Sequence, residues 1–225
     1  MNLLHSPRVF AFVSRHLLCS VPTRERRIAL TFDDGPNPKA TPRLLRLLAA
    51  ARIKATFFLL GRNVLRFPHL AAEIAAAGHE IGNHTYSHLL LPVLPHKLLR
   101  RELERAGHLI EAATGHVPRL VRPPMGWFNG TVLRTLGELG YQPVLGDVYP
   151  QDTTRPGARE IARRIVTRAR PGSIVIMHDG VPYGQADRSQ SVEATQMVID
   201  ALQKKSFRFD TVSTLLAQAR GEAAG

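Results

Sequence analysis

Three short words in this chain hold residue types that can do chemistry together: Thr31-Phe32-Asp33-Asp34-Gly35-Pro36, His84-Thr85-Tyr86-Ser87-His88 and Met177-His178-Asp179. Two close carboxylates repel, and such a pair is best satisfied when one of them meets a cation. Histidines four residues apart, set on one helical turn, present both rings to one side. With a carboxylate from elsewhere they form a two-nitrogen, one-oxygen set that leaves positions open for water and substrate. A lone histidine at a strand end, followed by Asp179-Gly180, becomes a useful general acid once a carboxylate raises its pKa. Each word also has a bland reading: Asp-Gly-Pro is good turn chemistry, His-x3-His can be a solvent-facing pair, and a lone histidine is usually a core residue. Their joint occurrence favours metal-assisted hydrolysis.

A fourth word, Arg122-Pro123-Pro124-Met125-Gly126-Trp127, reads as a stiff loop. Its two prolines fix φ and remove two N–H groups, so Met125 carries the first backbone donor after Arg122. That donor suits a developing oxyanion. Arg122 suits a nearby carboxylate that must stay ionised. Trp127, the only tryptophan, could stack on a sugar ring or fill the core. The remaining histidines (His5, His16, His69, His79, His96, His108 and His116) read as structural or surface residues.

These words need elements to carry them. Arg27 to Phe32, Lys54 to Leu60, Glu80 to Gly82, Leu120-Val121, Gln142 to Val148, Ser173 to Met177 and Phe207 to Val212 read as strands. Between them lie helical patterns: Pro42 to Arg52 with Thr41 as N-cap, Pro68 to Ala77, Pro95 to Thr114 stopped by Gly115, Thr131 to Leu139, Ala158 to Ala169, Ser191 to Lys204 and Thr214 to Ala219. About seven β-then-α units with short connections predict a parallel α/β fold of one domain, a distorted (β/α)7-type barrel. In such barrels the active site lies at the C-terminal strand ends. Asp33 and Asp34 follow the first strand, His84 and His88 the third, Arg122 the fourth, Asp147 and Asp152 the fifth, and His178 the sixth. The expected boundaries are an N-terminal arm or lead-in helix over 1–25, the domain over 26–219 and a tail over 220–225.

The chain has 225 residues and 44% hydrophobic residues, which suits one globular domain. No apolar run reaches the ~18 residues of a spanning helix. Val9 to Leu18 is apolar but interrupted by Arg15 and His16, and reads as an arm rather than a secretory signal. A cytoplasmic location is therefore the default expectation, with association to the cell envelope as the alternative. The single cysteine, Cys19, excludes an intrachain disulfide and is expected to be buried or inert. The net charge of +12 reads either as genome composition or as attraction to an anionic wall or membrane surface. No nucleic-acid motif or phosphate-binding glycine loop is present.

With these residues in view, the chain resembles the polysaccharide deacetylases, carbohydrate esterase family 4, also called the NodB homology domain. The resemblance runs from about Arg27 to Leu216. It implies a hydrolase that removes N-acetyl groups from amino sugars in a glycan of the chitin-oligomer or peptidoglycan type, releasing acetate and free amine. It implies one divalent ion, Zn²⁺ first and Co²⁺, Mn²⁺ or Ni²⁺ as substitutes, held by Asp34, His84 and His88. It implies Asp33 as general base braced by Arg122, the Met125 N–H as oxyanion donor, Ile176 as an acetyl-pocket wall and His178 as general acid. The family's fourth motif usually ends in Asp-Trp. Here the text is Gly146-Asp147-Val148-Tyr149-Pro150-Gln151-Asp152-Thr153, so Asp152, or alternatively Asp147, is expected to brace His178, with Tyr149 partly replacing the missing tryptophan. Partners implied are an N-acetylated glycan or glycolipid and no nucleic acid. Two rival functions remain: a deformylase of a lipid-linked amino sugar or hydrolase of another non-peptide C–N bond, and an inactive basic wall- or membrane-binding module.

Overall fold

The computed structural model describes residues 17–183 and 187–221. Its frame is a parallel sheet of seven strands: β1 (Arg27–Gly35), β2 (Thr56–Leu59), β3 (Glu80–Asn83), β4 (Leu120–Val121), β5 (Gln142–Pro143), β6 (Ile174–His178) and β7 (Arg208–Asp210). The order across the sheet is β5-β4-β3-β2-β1-β6, and β7 pairs with β1. Ala29 of β1 is in register with Ile174 of β6 and with Asp210 of β7, so those strands occupy opposite flanks. β2 takes over β7's flank from Thr31 onward. Two isolated bridges, Leu18 with Val144 and Val148 with Val175, carry the curl of the sheet around towards β6. The result is the expected single-domain, distorted α/β barrel.

β1, β2 and β6 are short, nearly continuous apolar runs because helices cover the sheet's outer face and side chains fill its inner one. Leu30, Phe32, Phe57, Val175 and Met177 are fully buried in the main core. Eight α-helices surround the sheet among the described residues. They are α1 (Thr41–Ala50), α2 (Gly61–Arg66), α3 (Pro68–Ala76), α4 (His96–Thr114), α5 (Gly130–Glu138), α6 (Ala158–Arg168), α7 (Ser189–Lys204) and α8 (Val212–Ala219). α1 buries Leu44 and Leu48, and α4 buries Leu99, Leu103, Ala106 and Ile110, the spacing of one apolar helix face. Gly115 ends α4 in the left-handed region at φ 73°, where a side chain would be strained.

Several local expectations change. Gln142 to Val148 does not continue as a strand: only Gln142 and Pro143 pair with β4. Gly146 sits at φ 108°, which takes the chain out of the pleat, and a Cβ there would stand 2.6 Å from Ile176 Cγ1, so only glycine fits. Thr41 is not an N-cap. Asn37 Oδ1 instead receives the Lys39 and Ala40 N–H groups at 2.9 and 3.1 Å, and the Thr41 hydroxyl donates to Asp179. α2 has no sequence expectation behind it, being a six-residue helix with no apolar period to read. Cys19 is exposed rather than buried. Desolvation at its sulfur and the Asp147 charge still raise its pKa, which lowers the share of reactive thiolate. Of the proposed lead-in helix, Val9 to His16 lie outside the described residues, and Leu18 bridges Val144.

Candidate active site

Asp33 and His178 are register partners on β1 and β6, so base-type and acid-type side chains stand side by side across one strand spacing. Side chains two apart share a face. Thr31 therefore accompanies Asp33, and Ile176 accompanies His178. Arg122 Nη1 uses the first of these pairs: it donates to Asp33 Oδ1 at 2.5 Å and to Thr31 Oγ1 at 2.7 Å. The guanidinium is buried, stacked 4.1 Å from the Phe58 ring centroid. Thr31 donates its own hydroxyl hydrogen bond to Val175 O at 2.7 Å, which ties Arg122 to β6 as well.

Asp34 ought to face the other side of the sheet. It does not, because its backbone lies at φ 69° and the β1–β2 register shifts between Asp33 and Gly35. This local break brings two consecutive carboxylates to one cavity. The break therefore falls at Asp34 itself, ahead of Gly35-Pro36. Asn63 of α2 holds the turn by donating Nδ2 to Asp34 O at 2.7 Å. Behind it, Gly35 and Gly180 lack the Cβ atoms that would strike the Asp179 carboxylate and the Asp34 carbonyl.

The histidine pair is not on a helical turn. Thr85 and His88 both have positive φ, at 71° and 62°, and the segment is an irregular bend. The Asn83 side chain fixes its start by accepting from Thr85 N at 2.7 Å, and Glu102 fixes its middle by accepting from Ser87 N and Oγ, both at 2.8 Å. Both Nε2 atoms nevertheless reach Asp34 Oδ1 at 3.5 Å. His84 Nδ1 lies 2.7 Å from Arg122 O, a contact that puts the proton on Nδ1 and leaves Nε2 as a lone pair. Burial, and next the neighbouring His84 ring, lowers the pKa of His88, which favours its neutral form. Asp34 Oδ1 is buried with no hydrogen-bond donor. A buried, orphaned carboxylate oxygen faced by two imidazole lone pairs is a donor set that fits a divalent cation, and the three ligand atoms lie within 4.8 Å of one another.

His178 is locked by Asp152, which sits on the 3₁₀ turn Asp152–Thr154. Asp152 Oδ1 accepts from Nδ1 at 2.8 Å, while Oδ2 accepts from His178 N at 2.9 Å and from Ser191 Oγ at 2.7 Å. Burial disfavours the imidazolium, but the adjoining Asp152 charge and hydrogen bond outweigh it and push the pKa of His178 up to about 9. Asp147 is not involved. It accepts from Ser173 Oγ and Ile174 N, at the opposite end of β6.

One cavity of about 640 Å³ gathers Asp33, Asp34, His84, His88, Arg122, Met125, Tyr149, Ile176 and His178. The Tyr149 ring lies 6.1 Å from that of His178, with its hydroxyl 2.9 Å from Thr153 Oγ1. Trp127 is not brought in. It is 62% exposed, neither a core residue nor part of the cavity wall. Sequence reasoning also passed over Thr31, Asn63, Asp179, Arg188 and Ser191. Arg188 lines the cavity while donating Nε to Gly180 O at 2.8 Å. Asp179 is fully buried beneath Gly35, and desolvation pushes its pKa up to about 7 despite the Thr41 hydroxyl. Thr31 stands two residues from Asp33 and Asp179 directly follows His178, but Asn63, Arg188 and Ser191 stand in no recognisable spacing, and only the fold gathers them.

The family model described as polysaccharide deacetylase matches residues 20–144. A peptidoglycan-N-acetylglucosamine deacetylase of Bacillus cereus is 41% identical over 198 residues, covering 87% of this chain and 91% of its own length. The chain is a member of the polysaccharide deacetylase family. A chitooligosaccharide deacetylase of Bradyrhizobium sp. is 37% identical, over 84% of this chain and 90% of its own. Among solved structures, a peptidoglycan N-acetylglucosamine deacetylase in complex with 4-naphthalen-1-yl-N-oxidanyl-benzamide superposes with a TM-score of 0.87 at 32% identity, over 92% of this chain and 95% of that one. A family pseudoenzyme from Bacillus anthracis has the same fold, with a TM-score of 0.82 at 28% identity over 89% of this chain and 68% of that one. Fold alone therefore does not decide activity in polysaccharide deacetylases, and the side chains must carry that argument.

Proposed function

We propose that this polysaccharide deacetylase removes N-acetyl groups from N-acetylated amino sugars in a glycan. The observation that carries the reading is the in-register pair of Asp33 and His178 beside the Asp34, His84 and His88 donor set. Those three residues would hold one divalent ion, Zn²⁺ by the mixture of imidazole and carboxylate donors, with Co²⁺, Mn²⁺ or Ni²⁺ as substitutes. When bound, the ion supplies Lewis acidity that polarises a carbonyl and acidifies water.

The chain's own residues do the rest. Arg122 pairs with Asp33 and holds its carboxylate turned into the cavity. Asp33 accepts the proton of the attacking water as the new C–O bond forms. The Met125 N–H, first donor after the two prolines, serves the carbonyl oxygen as its charge grows. His178, protonated and held by Asp152 at Nδ1, delivers its Nε2 proton to the sugar nitrogen as the C–N bond breaks. Ile176 and Tyr149 wall the acyl group. The products are acetate and a free amino sugar.

The test is product analysis by mass spectrometry on a panel of N-acylated glycans with added Zn²⁺. Acetate release from N-acetylated oligomers is expected. Formate release alone, from N-formyl sugars, would move the protein to deformylation. The basic binding-module reading has the charge of +12 in its favour, and substoichiometric metal that added Zn²⁺ cannot restore would support it. In keeping with either reading, no helix among the described residues is long and apolar enough to cross a membrane.

A further inference from the structure

Next to the cavity lies a second hollow of about 330 Å³, lined by Arg62, Asn63, Arg66, Tyr86, Ser87 and Pro182. Pro182 lines both, so the two spaces adjoin. Arg62 and Arg66 are one turn apart on α2 and share a face. Several arginines elsewhere in this chain meet carboxylates, as in Arg27 with Asp210 and Arg164 with Glu160. Arg62 and Arg66 instead lie against aromatic rings, at 4.9 Å from the Tyr183 centroid and 5.2 Å from the Phe67 centroid. No carboxylate among the described residues forms an ion pair with either. Glu102, behind Ser87, is occupied by the Ser87 N–H and hydroxyl. Arg105 stacks 3.7 Å over Tyr86 and adds a third positive charge to this side. The Tyr183 hydroxyl donates to Ser87 O at 3.0 Å, which fixes that wall.

The hollow is also wired to the metal-type donor set. Asn63, part of its lining, braces Asp34, and Ser87 precedes His88. A group seated there is therefore held at a set position relative to the reacting amide. Guanidinium groups take carboxylates in a planar, two-pronged geometry.

Resting on the deacetylase reading, we propose that this hollow seats a carboxylate carried by the glycan beside the sugar being deacetylated, so that the enzyme selects acidic over neutral N-acetylated glycan. The test compares three substrates of equal length. One is a neutral N-acetylglucosamine oligomer, one carries a carboxylate ether on alternate sugars, and one carries the same ether as its primary amide. Wild-type kcat/KM is expected to favour the carboxylate over its amide by about tenfold, a preference that fades at high salt. Arg62→Gln with Arg66→Gln should remove the preference and leave the neutral oligomer unchanged. If the double variant does not fold, Arg66→Gln alone, an exposed side chain, should cut the preference by about threefold. Equal wild-type rates on carboxylate and amide, or a preference that survives the substitutions, would overturn the inference while leaving deacetylation standing. A wild-type enzyme that hydrolyses none of the three would sink both. Adding a peptide to the ether carboxylate separates a sugar-borne from a peptide-borne acid: retained preference points to the peptide carboxylate, lost preference to the ether.

Discussion

Replacing Asp152 with Asn changes little shape and removes one charge. In the wild type, burial works against the His178 imidazolium and Asp152 works for it, and the balance leaves the pKa at about 9. Without the carboxylate, the opposing influence of burial is left with only the weaker help of Asp33 and Asp34. The pKa of His178 then falls to its ordinary ~6.5 or lower. At pH 7.5 the acid form drops from nearly all of the population to ~10% or less, so kcat should fall at least ~10-fold there. At pH 5.5 most of that loss should be regained. Acetate release measured from pH 5 to 9.5 on metal-loaded enzyme would show the alkaline limb of kcat moved acidward by about 2.5 pH units. A bound cation would lower the limb in both proteins, so the displacement between them is the tested quantity. An alkaline limb that stays in place in Asp152→Asn would refute the assignment of His178 as the proton donor governed by this pair.

Four further outcomes can be measured. Asp34→Ala or His88→Ala should abolish metal binding by elemental analysis together with activity; a metal-replete variant would remove that residue from the donor set. Asp33→Asn should retain the metal and lose ~10²-fold or more in turnover. Arg122→Leu strands a buried carboxylate and should cost about 3–5 kcal/mol in urea unfolding; a smaller loss would mean that Asp33 finds another partner. The paired imidazolium of His178 has a raised pKa, so its stabilising effect is complete below ~6.5 and is lost as pH rises through about 9. The Tm of chelator-treated protein should decline across that window in the wild type and less so in Asp152→Asn.

Much of this site could be read from the chain because its chemistry sits at strand ends, where apolar runs stop and polar words begin. Asp33, Asp34, His84, His88 and His178 all follow such runs, and the structure gathers all five. What could not be read was backbone conformation. Whether Asp34 or Gly35 breaks the pleat depends on the β1–β2 register, and the bend from His84 to His88 depends on Asn83 and Glu102, both outside the motif. Periodicity was silent about α2 because six residues hold too little pattern. It overran at Gln142 to Val148 because pairing with β4 stops at Pro143 and Gly146, at φ 108°, takes the chain out of the pleat, neither of which leaves an apolar-pattern signal. Asp147 and Asp152 looked alike as text; only the end of β6 that each one meets separates them.

The gathering of Asp33, the histidine bend and Asp33's register partner His178 in one cavity has a stereochemical result. A planar acyl carbon lodged over Asp33, with its nitrogen directed to His178, would expose only one of its two faces to water. Acetate keeps no memory of that choice, so the products hide it. A mimic of the addition step with a stereogenic phosphorus would not: one epimer at phosphorus should bind, and the other should be refused.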